Sequence, residues 1–321
     1  MKKILLVCSS ILLILSGCTG SKKGKVISVE LQPISLGVMS SMDYVPFIIA
    51  EKEGIYDSLG LKVNIVKFFS TTDRDAAFQS GDIDGTIIDY TNAAFLQTHH
   101  IPLKIVMKND GYFCFIAGKE SGIKSLSQLK GKNIAVSHNS VIDYVTDFIL
   151  NKAGITLAEV NKPEINNIPL RLEMLQYGQI DASVFSDPFA TIAMNSGHKS
   201  LISTQELGLS ITGTVFSEKA LKNKSEDIKR LVKGYNLAVD YIRTHPLEEW
   251  RQILIEDVGV PEALAGIIAL PQYQYASLPA AKDLEGTIAW LKAKNLLPHT
   301  YSIKSLVDSI YTQPDVTTET E

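Results

Sequence analysis

Cysteine is scarce in this chain, three among 321 residues, and tryptophan scarcer still at two. Cys8 and Cys18 lie at the extreme amino end, so Cys114 stands alone in the rest of the sequence. A disulfide scaffold is excluded, and so are metal and redox motifs that need paired thiols. Neither sign of charge dominates: 31 Lys plus Arg face 35 Asp plus Glu, a net charge of −4. That balance lacks the basic excess that a nucleic-acid partner would call for. Beyond Leu15 no apolar run approaches the roughly 20 residues of a spanning helix, which excludes a polytopic membrane protein. What is present, 45% hydrophobic and 21% charged residues, is the composition of a folded protein of about two domains.

The start of the chain is set apart. Lys2 and Lys3 precede an apolar run from Ile4 to Leu15, then Leu15-Ser16-Gly17-Cys18. The run is too short to cross a bilayer and reads as an export signal over residues 1–17. Leu-Ser-Gly-Cys resembles the lipobox of bacterial lipoproteins, which implies acylation of Cys18 and cleavage just before it. Each buried lipid methylene contributes about 0.8 kcal/mol, so several chains on one cysteine hold durably. Residues 18–25 are then the lipidated cysteine and a small, polar, basic tether. The expected location is the extracytoplasmic face of a bacterial membrane.

From Val26 onward β-like runs alternate with amphipathic helices, the pattern of an α/β fold with a largely parallel sheet. Leu61, Val63 and Ile65 alternate with polar residues as in a strand. From Val141 to Ala153, Val141, Val145, Phe148 and Ile149 share one helical face, with Asp143, Asp147 and Lys152 elsewhere. Gly54-Ile55 and Gly154-Ile155 each read as a helix stop.

One unit occurs twice. Gln79-Ser80-Gly81-Asp82-Ile83-Asp84 recurs as Gln176-Tyr177-Gly178-Gln179-Ile180-Asp181, and the same separation carries Ser41 onto His138, Arg74 onto Arg171, and Asp89 onto Ser186. Two related α/β lobes follow. The last third, from about Ser217, is mainly helical. Ile228, Leu231, Val232, Tyr235, Val239 and Ile242 make an apolar stripe that should stop near His245-Pro246. A further helix is expected over Leu284 to Lys294, with Trp290 in its packed face, and the tail from Gln313 should fray.

The run Asp43-Tyr44-Val45-Pro46-Phe47-Ile48-Ile49-Ala50-Glu51-Lys52-Glu53-Gly54-Ile55-Tyr56, followed by Leu59-Gly60-Leu61-Lys62-Val63, resembles the opening of solute-binding proteins of the nitrate, sulfonate and thiamine-precursor group. The stretch from Ile123 to Val136 and the two Gly-x-Ile-Asp units match later stations in order. The resemblance implies a type II periplasmic-binding-protein fold, two lobes around a ligand cleft. It implies lobe one over 26–113 plus 208–321 and lobe two over 114–207, with crossings near Asp110 to Gly118 and Glu206 to Val215. The implied partners are a small-molecule ligand and the permease of an ABC importer, and through it an ATPase. A monomer without cofactor or metal is expected.

Ligands of open α/β sheets sit beyond the carboxyl ends of the strands. Loops that meet this criterion, and that line the cleft in the resembling family, carry Ser41, Asp43, Tyr44, Asp89, Tyr90, Asn92, His138, Asn139, Ser140 and Asp187. These loops hold no Lys or Arg. Their carboxylates, amides and phenols suit a nitrogen heterocycle such as a thiamine-precursor pyrimidine. Each has a plainer reading as well: Asp43 caps a helix, Asp187-Pro188 starts one, and His138 donates a hydrogen bond. His99-His100 reads as a solvated turn rather than a metal site.

Arg74 and Arg171 fall near helix starts, where the dipole disfavours cations by roughly 0.3 to 1 kcal/mol. Asp73, Asp75 or Glu173 would offset this, and so would an anion in the cleft, so a sulfonate ligand stays open. An enzyme is the alternative class, since a eukaryotic pyrimidine synthase resembles these importers in fold. Cys114 sits in the apolar run Tyr112 to Ile116, and no nucleophile motif, phosphate loop or zinc spacing appears. A sensing role, with docking on a receptor, is the third.

Overall fold

The computed structural model describes residues 33–312. The export signal, Cys18, the tether and the tail from Gln313 lie outside the described residues.

Among the described residues nine strands form two sheets. In the first, β1 (Ile34–Met39), β2 (Val63–Phe68) and β3 (Gly85–Asp89) run parallel. β4 (Leu103–Lys108) is paired with a late strand, β9 (Thr212–Ser217), which runs antiparallel to both β3 and β4. The order is β2-β1-β3-β9-β4. The second sheet holds β5 (Phe113–Ala117), β6 (Ile134–Ala135), β7 (Ala182–Ser186) and β8 (Lys199–Ser203) in the order β6-β7-β5-β8. Only β6 and β7 are parallel there. The chain passes between the sheets twice, from Lys108 to Phe113 and from Ser203 to Thr212.

Helices cover both faces. On the first sheet these are α1 (Val45–Lys52), α2 (Ile55–Ser58), α3 (Thr71–Ser80) and α4 (Tyr90–Thr98). The second carries α5 (Val141–Lys152), α6 (Ile168–Gln176) and α7 (Phe189–Asn195). After β9 come α8 (Glu218–Asn223), α9 (Ser225–Thr244), α10 (Leu247–Ile253) and α11 (Ala281–Ala293). The apolar stripe of α9 is buried at Ile228, Leu231, Val232, Tyr235 and Val239, against Phe47 and Ile49 of α1 and Trp250 of α10. Fully burying side chains of this kind contributes about 1.5–3 kcal/mol each. The helix stops at His245, as Pro246 requires. α11 packs on the opposite face of the first sheet, where Leu284, Ile288 and Leu291 meet Phe78 and Leu103.

The two Gly-x-Ile-Asp units do the same job. Gly81 and Gly178 each end a helix in left-handed backbone, at φ 83° and 68°. Ile83 and Ile180 are buried. Asp84 accepts a hydrogen bond from the Ser35 backbone N–H at 2.8 Å, and Asp181 one from that of Asn133 at 2.8 Å. Each carboxylate thus pins the incoming strand to its neighbour, which explains why the motif needs an acid there.

One helix departs from its sequence pattern. Over α5 the apolar face places Phe148 inside and Asp143 and Asp147 outside, yet Phe148 is 36% exposed while Asp143 is 0% and Asp147 7% exposed. Both carboxylates are taken inward by lysines from elsewhere in the fold.

Candidate functional site

Parallel strands β1 and β3 of the first sheet end at Met39 and Asp89, and antiparallel β9 begins beside β3 at Thr212. In the second sheet β7 ends at Ser186, and antiparallel β5 begins at Phe113. Strand polarity therefore delivers all five residues to one side, where they line a cavity of about 650 Å³, its open mouth included. Helix starts complete the wall: Thr71 opens α3, Val141 and Ile142 open α5, and Ile168 opens α6. Backbone N–H groups at such ends favour anions.

Of the residues expected from sequence, Ser41, Asp43, Asp89 and Ser140 line this cavity. The Ser41 hydroxyl donates to Asp43 Oδ1, and Gly111 of the crossing segment lies so close to Asp43 that a β-carbon there would sit 2.7 Å from the Asp43 Cβ. Asp89 caps α4: its Oδ1 accepts from the Asn92 backbone N–H at 2.9 Å and from the Thr91 hydroxyl. Burial raises the pKa of both carboxyls, with Arg74 pulling the other way. Ser140 caps α5 by accepting from the Ile142 N–H at 3.2 Å, and its hydroxyl donates to the Ser137 carbonyl at 2.7 Å. Ser137, also in the lining, donates to Asn166 Oδ1 at 2.7 Å.

The other six expected residues stand back from this cavity. Tyr44 and Tyr90 are about 1% exposed and belong to the packed cores. Their hydroxyls face the Asp257 carbonyl at 2.7 Å and Ser210 Oγ at 3.4 Å, so neither ring is free to stack on a ligand. Asn92 donates to Asp75 Oδ2 at 2.6 Å. Asn139 takes the left-handed turn at φ 62°, and its N–H donates to Asp143 Oδ2 at 3.2 Å. His138 is outside the lining as well, with Nδ1 3.9 Å from Asp143 Oδ2. Asp187 is buried and outside the lining, with Oδ1 accepting from the Thr191 N–H at 2.8 Å and Oδ2 from the Tyr112 hydroxyl at 3.3 Å. Helix α7 starts after Pro188, one residue later than the Asp-Pro pattern suggests.

The expectation of a site without basic residues is corrected by the helices. The loops hold none, but Arg74 and Arg171, each 2% exposed, both line the cavity from the first turns of α3 and α6. Arg74 is neutralised in place, its Nε and one terminal nitrogen donating to Asp75 Oδ1 at 2.9 and 2.7 Å. Arg171 is not. One terminal nitrogen donates to the Ile165 carbonyl at 2.8 Å, the guanidinium lies 5.3 Å from the Phe185 ring centre, and Nε has no partner among the described residues. Desolvation lowers its pKa to about 10, with no compensating charge. Glu173, a partner weighed from sequence, makes no ion pair with it among the described residues. The repeat held the clue to the missed part of the site: Thr71 and Ile168, Arg74 and Arg171, and Asp89 and Ser186 stand at one separation, and all six line the cavity.

The remaining wall is apolar, with Met39, Ile87, Ile88, Phe113, Val141 and Ile142. The arrangement suits a small molecule with an anionic head at Arg171 and an apolar remainder. Among the described residues no group of three or more His, Cys, Asp or Glu side chains is placed to hold a metal ion, and no helix is long and apolar enough to cross a membrane. Burial pushes the Cys114 thiol up to about 12, which suits a packed residue rather than a nucleophile.

The family described as NMT1/THI5 like matches residues 41–249. A protein of Bacillus subtilis (strain 168), whose name assigns it to aliphatic sulfonate binding, is 25% identical over 259 residues, 76% of this chain and 75% of its own. The ligand-binding component of an ABC-type import system from Staphylococcus aureus, solved with zinc bound, superposes with a TM-score of 0.75 at 15% identity, over 87% of this chain and 97% of that one. The periplasmic aliphatic sulphonate binding protein SsuA from Escherichia coli gives 0.69 at 16% identity, over 86% and 92%. At these identities the structural likenesses show the fold, the two-lobed α/β architecture of periplasmic binding proteins.

Proposed function

This chain belongs to the NMT1/THI5-like family, and from that premise we propose that it is the substrate-binding protein of an ABC importer whose ligand is a small organic anion of the sulfonate class. The observation that carries the reading is Arg171: a buried cation, 2% exposed and facing the cavity, with no acidic partner among the described residues. A buried ion without its counter-ion is costly by several kcal/mol, and an anionic head group would offset that on binding. Three helix starts aimed at the same space add to the preference. The aliphatic sulfonate binding named for the Bacillus relative supports the same class. It is a binding protein and not an enzyme.

The two sheets with their helices act as lobes over 26–113 plus 208–321 and 114–207, hinged at the two crossings. Closure around the ligand presents the loaded protein to a permease. In this reading residues 1–17 are the export signal, Cys18 is the lipid anchor that holds the protein on the outer side of the cytoplasmic membrane, and the protein works as a monomer.

Asp43 and Asp89 favour a second reading, in which the ligand also carries N–H donors, as an aminoalkanesulfonate or a thiamine-precursor pyrimidine does. Calorimetry with ethanesulfonate, butanesulfonate, taurine, nitrate, an aminopyrimidine and thiamine decides between them. Micromolar or tighter sulfonate binding that is lost in Arg171→Met is expected. Pyrimidine binding with no sulfonate binding would overturn the first reading and establish the second.

A further inference from the structure

Helix α5 joins the cavity to a charged cluster on its outer side. Its first turn, Val141 and Ile142, lines the cavity. Its next positions carry Asp143 and Asp147, the two carboxylates that the apolar pattern of the helix would have left in water. Lys162, from the same lobe, donates to both at 2.5 Å. The other partners come from α11, whose Leu284, Ile288 and Leu291 belong to the core of the first lobe. Lys294, just past the end of α11, reaches Asp143 Oδ2 at 2.7 Å and Asp147 Oδ2 at 3.2 Å. The Trp290 indole N–H donates to Asp147 Oδ2 at 2.9 Å.

The aromatic parts join the same seam. Tyr144 and Trp290 meet edge to face with ring centres 5.5 Å apart, and Lys294 lies 4.3 Å from the Trp290 ring centre. Gly286 of α11 makes room for the approach, since a β-carbon there would come within 3.1 Å of the Tyr144 hydroxyl.

Burial alone would raise the Asp143 pKa, yet hydrogen bonds from Lys162 and Lys294 more than reverse this and lower it. Lys162 can serve the acids whatever the lobes do, because it travels with them. Lys294 and Trp290 cannot: separation of the lobes would pull them away and leave Asp147 without two of its three partners. A buried carboxylate stripped of partners resists that motion.

We propose that Lys294 and Trp290 of the first lobe clasp Asp143 and Asp147 of the second, and that this clasp holds the lobes closed and slows ligand escape. It is a device for retention. Its residues touch no ligand, so they act as positioning residues through α5. The inference uses the two-lobed architecture and does not depend on which ligand is bound.

The test uses Trp290 as its own reporter. The chain has two tryptophans, so a Trp250→Phe background leaves Trp290 alone. Emission and the small-angle scattering radius are compared for that background and for Lys294→Met, Lys294→Arg and Asp147→Asn on top of it, without ligand and with saturating butanesulfonate. Lys294→Met and Asp147→Asn are expected to red-shift Trp290 and enlarge the radius, while Lys294→Arg stays near the parent.

Butanesulfonate should dissociate about tenfold faster from Lys294→Met with its association rate changed less than about twofold. A merely structural loss would lower the melting temperature without that split. Emission or radius superposable on the parent in every condition would overturn the clasp. If butanesulfonate fails to bind the parent, the sulfonate reading falls, and the ligand-free emission and scattering still decide the clasp.

Discussion

The two copies of the repeated unit each bring an arginine to the cavity wall at equivalent positions, one from α3 and one from α6, and the copies differ in what neutralises it. Asp75 follows Arg74 directly in sequence, takes both of its hydrogen bonds, and is itself held by Asn92. The position after Arg171 is Leu172, a buried core residue, and no acid replaces Asp75. One unit therefore brings a compensated charge to the cleft and the other a bare one. Function follows from the asymmetry, since the uncompensated cation is the half of the pair with capacity left for a ligand.

The sharpest way to break this comparison is Arg171→Met. Losing one partner of a buried charge pair weakens binding by about 2–5 kcal/mol, so sulfonate affinity should fall by roughly 30-fold to 5,000-fold in calorimetry. The ligand-free protein should melt higher, because an unpaired buried cation has gone. Arg74→Met should act oppositely on stability. It strands Asp75 beside Asn92, so the melting temperature drops by several degrees while affinity falls by only about tenfold. A matching stability change in the two variants would erase the distinction.

A smaller effect comes from the acids. Burial raises the pKa of Asp43 and Asp89 above the ordinary 3.8, so each holds its proton more readily folded than unfolded. The destabilisation is therefore absent below the ordinary value and complete once pH exceeds the raised one. Asp89→Asn keeps an oxygen to accept from Thr91 and Asn92. It should raise the neutral-pH melting temperature by a few degrees, with no gain below about pH 4. Anion affinity should decline as pH rises through the raised values in the parent, and Asp89→Asn should flatten that decline several-fold. A parallel titration in both proteins would remove Asp89 from the site.

The smallest change is expected of Tyr44→Phe. The hydroxyl bonds to the Asp257 carbonyl rather than to the cavity. Stability should fall by about 1 kcal/mol in denaturant melts, with affinity constant within about twofold.

Much of the scaffold was legible in particular residues. The helix from Val141 to Lys152, the stop at His245-Pro246 and the paired Gly-x-Ile-Asp units all sit where periodicity and glycine placed them. The strand-end rule also led to Ser41, Asp43, Asp89 and Ser140. It failed for Tyr44 and Tyr90, because a residue beside a strand end can turn its ring into the core as easily as into the cleft.

Sequence by itself determined the α/β alternation, the internal repeat and the family resemblance, because these rest on local backbone preference and on spacing along the chain. Tertiary structure decided what stands opposite each charge. Among the described residues Arg171 finds no acid, and Asp143 and Asp147 of α5 find Lys294 and Trp290 more than a hundred residues away. Electrostatic pairing depends on distance and burial in space, and neither is written in the local pattern of a helix.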